Sequence, residues 1–136
     1  MGSKNKLKRF KDNEKFDNVF QPTRQELLSG DFEFKGSWAK KVFNNSNPIT
    51  LELGCGKGEY SVELARQNPD INFIGIDIKG ARFWRGAKTA NEKNIPNVKF
   101  IRAQIELVES LFASNEIDEI WITFPDPQPQ ISRERK

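Results

Sequence analysis

An α/β fold, built as a doubly wound parallel sheet, is predicted from three observations. Residues 49–77 read strand, glycine turn, helix, strand and acid, which is the pattern of a nucleotide-binding βαβ unit. The same alternation of apolar runs and helical periods continues through a third and a fourth strand, ending near Phe124. A stiff loop, Phe124-Pro125-Asp126-Pro127-Gln128-Pro129-Gln130, then follows the fourth strand, where sheets of this kind collect their ligands.

Taken from the start, the chain opens with a basic arm, residues 1–15. Lys4, Lys6, Lys8, Arg9, Lys11 and Lys15 stand there against Asp12 and Glu14. It reads either as a solvated, frayed terminus or as an arm that contacts phosphates and orders on binding. Residues 16–48 form an accessory section expected to cover a face of the sheet rather than build it. Phe16, Val19 and Phe20 anchor it, and Thr23 with Glu26 has the spacing of a capping box opening a short helix that ends near Gly30. Phe32-Glu33-Phe34 alternates, and a second short helix, Trp38–Phe43, carries a tryptophan expected to be buried packing.

The sheet domain is assigned to residues 49–136. Ile49, Leu51 and Leu53 mark the first strand, and Gly54-Cys55-Gly56-Lys57-Gly58 the turn. Glu59–Gln67 is the first helix, stopped by Asn68-Pro69, and Asn72–Asp77 the second strand. In the second helix, running to about Lys93, Phe83, Ala87 and Ala90 share the packed face. Lys79, Arg82, Arg85 and Lys88 fan around its other side, either as a solvated surface or as phosphate contacts. The sequence does not decide whether Trp84 belongs to the core or the edge. Asn97–Arg102 is the third strand, followed by Gln104 and a short helix aligning Ile105, Val108 and Phe112; Asp118–Phe124 is the fourth.

The glycine turn indicates which nucleotide is bound. A dinucleotide loop spaces its glycines Gly-x-Gly-x-x-Gly, whereas here they run Gly-x-Gly-x-Gly with Glu52 two residues before the first. An acid beside the turn is poorly placed for two phosphates and suits a cationic end, such as the amino group of a methionine moiety. Asp77, 19 residues beyond Gly58, stands where an acid accepts hydrogen bonds from ribose hydroxyls. Together these favour S-adenosylmethionine over NAD, and the fold is expected to be the Rossmann-like sheet of an S-adenosylmethionine-dependent methyltransferase. The end of the third strand would border the adenine, with Gln104 as its polar partner and Glu106 as competitor.

Composition narrows the chemistry further. The 136 residues amount to one domain, with 30% charged and 36% hydrophobic residues and a mild net charge of +3. One cysteine excludes an internal disulfide or a cysteine-rich zinc site, and no metal is expected. Cys55, between two glycines, reads as a small tolerated side chain rather than a nucleophile. The absence of histidine removes Ser-His-Asp and Cys-His schemes from this segment. No apolar run of signal or membrane-anchor length stands at the N-terminus, and a cytoplasmic enzyme without a membrane partner is expected. Asp126, a carboxylate pinned between prolines at the switch point of the sheet, is the candidate for catalysis.

These motifs resemble the bacterial tRNA (guanine-N(7)-)-methyltransferase family. The resemblance rests on Glu52-Leu-Gly-Cys-Gly-Lys-Gly58, on Gly75-Ile-Asp77-Ile-Lys79, on Gly36-Ser-Trp38 and above all on Thr123-Phe-Pro-Asp126-Pro. It implies that Glu52, Gly54, Asp77, Gln104 and Asp126 line the S-adenosylmethionine pocket and that Asp126 also faces the target base. The family's proline loop usually continues Trp-Pro-Lys-Lys. Here Gln130 takes the position of a substrate-binding lysine, able to hydrogen-bond but not to neutralise charge. Gln104 stands where the family often has Asp, a change that a neutral adenine contact tolerates.

The resemblance implies a reaction that needs no general base, because N(7) of guanine carries an in-plane lone pair and no proton. Catalysis would be positioning plus stabilisation of the charge that moves onto the imidazole ring. Alternatives are an S-adenosylmethionine enzyme with a protein or small-molecule acceptor, an NAD-linked oxidoreductase, disfavoured by Glu52 and the glycine spacing, and a non-catalytic RNA-binding module. A sheet of this type needs strands beyond the fourth, whose apolar edge would otherwise be bare, so the chain is expected to be a fragment of a longer enzyme.

Overall fold

The alternation that marks the central strands also assigns their side chains to two layers. The computed structural model describes residues 3–122. Asp126, Gln130 and the proline loop lie outside the described residues. Among those described are strands β1 (Val19–Phe20), β2 (Ile49–Leu53), β3 (Asn72–Asp77), β4 (Val98–Arg102) and β5 (Glu119–Ile122). They form one parallel sheet in the order β1-β4-β3-β2-β5. The chain reverses direction across the sheet between β2 and β5, and this is the switch point of a doubly wound sheet.

Register fixes the two faces. Leu51 lies beside Ile74, and Ile76 beside Ile101. These side chains meet Leu27, Trp38, Leu111 and Phe112 from helix α2 (Arg24–Ser29), the π-helical turn Trp38–Phe43, helix α5 (Val108–Leu111) and the residue after it. On the other face Phe73 lies beside Val98, and Gly75 beside Phe100. There Phe83, Ala87, Ala90, Val62 and Ala65 pack down from helices α3 (Glu59–Gln67) and α4 (Gly80–Glu92). Trp38 is fully buried, donates its indole N–H to the Leu111 carbonyl at 2.9 Å and meets Phe20, Phe32, Phe34 and Phe112 edge-on or tilted. A buried indole requires such a partner for its single donor.

The helix ends follow local chemistry. Thr23 and Glu26 make the reciprocal capping box at α2, with Glu26 N–H donating to Thr23 Oγ1 at 3.0 Å and Thr23 N–H to Glu26 Oε1 at 2.9 Å. Gly30 closes that helix with φ of 81°. Helix α3 starts after Gly58 with no side-chain cap.

Three features differ from the sequence reading. The front section does not merely cover the sheet: Val19 and Phe20 extend it as an edge strand beside Phe100 and Ile101. Two residues are too few to show a period, and the pairing is driven by the buried Asn18, whose carbonyl accepts from Phe100 N–H at 2.8 Å. Phe32-Glu33-Phe34 forms turns rather than a strand, its phenylalanines serving the Trp38 cluster.

The basic arm is not frayed, and it is ordered without any partner. It forms helix α1 (Ser3–Lys15), packed along α4. Arg9 donates to the Ala81 carbonyl at 3.1 Å, Asn13 to the Gly80 carbonyl at 3.0 Å, and the Trp84 indole to Asp12 at 2.9 Å. Trp84 is thereby buried beneath α1, with the Arg9 guanidinium 4.3 Å above its ring. Strand β5 sits at the opposite edge with Ile120, Trp121 and Ile122 exposed among the described residues. No helix among them is long and apolar enough to cross a membrane.

Candidate active site

The site forms where β2 and β3 end side by side. Gly54, Gly56 and Gly58 all adopt positive φ, 72°, 57° and 79°, which lets the chain leave β2 and turn at once into α3. The amides of Gly54 and Cys55 both donate to the Ile76 carbonyl, at 2.8 and 3.0 Å, tying the turn to β3. A Cβ at Gly58 would stand 2.6 Å from the Phe100 ring, so the turn rests directly on the core.

Asp77 locks this arrangement. One carboxylate oxygen accepts the Gly56 N–H and the other the Lys79 N–H, each at 2.9 Å. One side chain thus sets both the glycine turn and the entry to α4. Each oxygen retains a further lone pair for a ligand hydroxyl. Glu52 is buried on β2, on the α3 side of the sheet beside Gly75. Ser61 Oγ, from the inner face of α3, donates a hydrogen bond to it.

The Cys55 thiol reports the electrostatics of the turn. Burial first, then the negative charges of Glu52 and Asp77, push its pKa well above the ordinary range, with Arg82 acting weakly in the other direction. Both predicted acids therefore act on one point of the glycine turn. Such a site repels a pyrophosphate and fits a ligand with a cationic amine or sulfonium and a ribose. The thiol is protonated and packed, in agreement with a residue that fills space.

Gln104 follows β4 at the N-cap position of the 3₁₀ turn Ile105–Leu107, without a side-chain capping hydrogen bond. Its side-chain carbonyl accepts a hydrogen bond from Arg24. It borders a cleft of about 230 Å³ walled also by Ile78, Ala103 and Leu107. Ile78, directly after Asp77, is 45% exposed, an apolar surface suited to the flat face of a base. Glu52, Gly54 and Asp77 are thus brought together, and Gln104 lies along the same carboxyl-end rim. Among the described residues no group of three or more His, Cys, Asp or Glu could hold a metal ion.

Sequence reading missed Ser61 and the placement of Arg82. Ser61 could have been found, since it shares the inner helical face with Val62 and Ala65 and is the one hydroxyl there. Arg82 was grouped with three other bases on α4, but its guanidinium lies against the turn, 3.4 Å from where a Cβ on Gly56 would stand. Only the packing of α4 on the turn could reveal this.

Comparison with known proteins identifies the family. The family described as "Putative methyltransferase" matches residues 46–136. A tRNA (guanine-N(7)-)-methyltransferase of Christiangramia forsetii is 70% identical over 98% of this chain and 59% of its own length. The enzyme of the same name from Bacteroides fragilis is 47% identical over 97% of this chain and 52% of its own. The chain spans somewhat more than half the length of these relatives. A solved antibiotic-related methyltransferase superposes with a TM-score of 0.57 at 24% identity, covering 66% of this chain and 47% of that one, and shows the shared fold. Both the extent of the match and a glycine turn flanked by Glu52 and Asp77 lead to one conclusion: this chain belongs to that methyltransferase family.

Proposed function

We propose that the whole protein methylates N(7) of guanine in tRNA, with S-adenosylmethionine as the methyl donor. The observation that carries this reading is the convergence of Glu52 and Asp77 on the glycine turn, which suits a cationic, ribose-bearing donor. Relatives named for this reaction, at 70% and 47% identity, support the choice of acceptor.

In this reading Asp77 holds the ribose while it braces the turn, and Glu52, steadied by Ser61, faces the amino-acid end of the donor. Gln104 contacts the adenine through the lone pair that Arg24 leaves on its carbonyl. When bound, S-adenosylmethionine supplies an electrophilic methyl group that the N(7) lone pair takes up as the carbon–sulfur bond breaks toward sulfur. No proton is removed, so the work of the chain is orientation, exclusion of water and placement of charge. Asp126 is assigned to the positive charge that arrives on the guanine ring or to its N–H edge, and Gln130 to a hydrogen bond with the substrate.

The test is an assay of the whole protein with isotopically labelled donor and bulk tRNA, followed by nucleoside analysis. Label in 7-methylguanosine, lost in Asp126→Ala, is the expected result. Label in another nucleoside, in protein or in small acceptors would overturn the proposal, as would tRNA binding without transfer.

A further inference from the structure

The basic residues of α1 and α4 divide into two groups. Lys8 pairs with Asp12 and Lys88 with Glu92, while Arg9 and Arg85 lie over the Trp84 ring. These hold α1, α4 and Trp84 in place. The other group is Lys6 from α1, Lys79 and Arg82 from the start of α4, and Arg102 from the end of β4. These four line one cleft of about 370 Å³, whose walls carry no acidic residue among the described residues. Among the described residues none of their side chains forms an ion pair or a hydrogen bond.

Gathering four cations into one concavity is electrostatically unfavourable unless an anion answers them. Helix α4, 13 residues long, adds the positive end of its dipole, and its N-cap residue, Lys79, makes no side-chain capping hydrogen bond. Phe10 and Ile78, 38% and 45% exposed, give the cleft an apolar floor. Its position is informative too. Ile78 and Arg102 also wall the cleft that Gln104 borders, so the two clefts are neighbours at the carboxyl ends of β3 and β4. The methyl donor cannot be the occupant, because its sulfonium and ammonium outweigh its one carboxylate.

We infer that this cationic cleft holds backbone phosphates of the RNA substrate and so sets its path past the cofactor pocket. The inference rests on the tRNA reading given above. Lysine and arginine side chains converging from three elements grip phosphates without reading bases, which orients a strand and leaves sequence choice to the active site.

The test compares the whole protein with its Lys6→Gln/Lys79→Gln variant, in which Arg82 and Arg102 are kept because they also touch the glycine turn or the neighbouring cleft. A Lys40→Gln/Lys41→Gln variant, with exposed lysines on the other layer, serves as control. Loss of two phosphate contacts is expected to raise the KM for tRNA about tenfold and to make the slope of log affinity against log salt shallower by roughly 1.4–1.8. Donor affinity should stay within about twofold of the parent, since neither side chain borders the donor's cleft. An unchanged tRNA affinity and salt slope, with methylation intact, overturns the cleft assignment alone. So does an equal loss in the control, a parallel loss of donor binding, or inorganic phosphate that binds the parent and not the variant while tRNA affinity is unaltered. If the parent protein neither binds nor methylates tRNA, the functional reading itself fails.

Discussion

The Asp77 carboxylate accepts the Gly56 amide at 2.9 Å, so the last residue of β3 holds the turn that follows β2. The same carboxylate accepts from Lys79 N–H, so one side chain braces both the turn and the entry to α4, and the donor's ribose is its proposed further partner. Asp77→Ala is expected to lower stability by about 1–3 kcal/mol, the range for losing charge-assisted hydrogen bonds at a partly exposed site. Donor affinity should fall more than about tenfold, since one lost charged hydrogen bond already exceeds 1.4 kcal/mol. Asp77→Asn, which keeps one acceptor, should recover part of the stability and little of the affinity. Urea unfolding and donor titration check this, and equal recovery of both would contradict it.

Helix α4 touches the glycine turn at Gly86. A Cβ there would stand 2.9 Å from Gly58 C and O and from the Lys57 carbonyl, all backbone atoms. Alanine is favoured over glycine within a helix by about 1 kcal/mol, so propensity alone predicts that Gly86→Ala stabilises. Three backbone contacts that cannot rotate away reverse the sign. The expected net loss is about 1–3 kcal/mol, typical of overpacking, with weaker donor binding because the turn must shift. A raised thermal midpoint would show that α4 can slide away from the turn.

The docking of α1 depends on pH through Asp12. Hydrogen bonds from Lys8 and from the Trp84 indole, in that order, hold its pKa below the ordinary value of 3.8. A carboxyl depressed on folding adds stability above its unfolded pKa and loses it as pH falls through the folded one. Trp84 fluorescence should therefore be constant from neutrality down to about pH 4, the unfolded carboxyl value, and change only in more acid solution. In Asp12→Asn that acid step should vanish. A step centred near pH 6 would place the switch on another group.

Cys55 provides a probe of the turn. With its thiol buried and its pKa raised by burial and by Glu52 and Asp77, it should resist thiol reagents at neutral pH in the folded protein and react fully in denaturant. Glu52→Gln removes one negative neighbour and should make the native thiol somewhat more reactive. Rapid native labelling of the parent protein would mean that the turn opens.

The sheet was legible because its strands carry their own periods. Ile49-Leu51-Leu53 and the runs ending at Asp77 and Arg102 are apolar on alternate or on both faces, as buried parallel strands must be, and β2, β3 and β4 lie where they were predicted. The capping box at Thr23 and Glu26 was equally local, two side chains three residues apart. Strand β1 carried no such signal, since its two residues take strand form only from pairing with Phe100 and Ile101.

Residue types and short spacings were enough for the sequence to determine the glycine turn, its two flanking acids, the kind of ligand they suit and the order of helices and strands from β2 onward. Tertiary structure alone decided which bases are spent on holding α1 and Trp84 and which converge without an ion-pair partner among the described residues, that Ser61 steadies Glu52, and that Arg82 rests on the turn. The reason is range. Dihedral preference and hydrophobic period act within a few residues, whereas a hydrogen bond such as Trp84 to Asp12, 72 positions apart, exists only once the chain has folded and brought the two together.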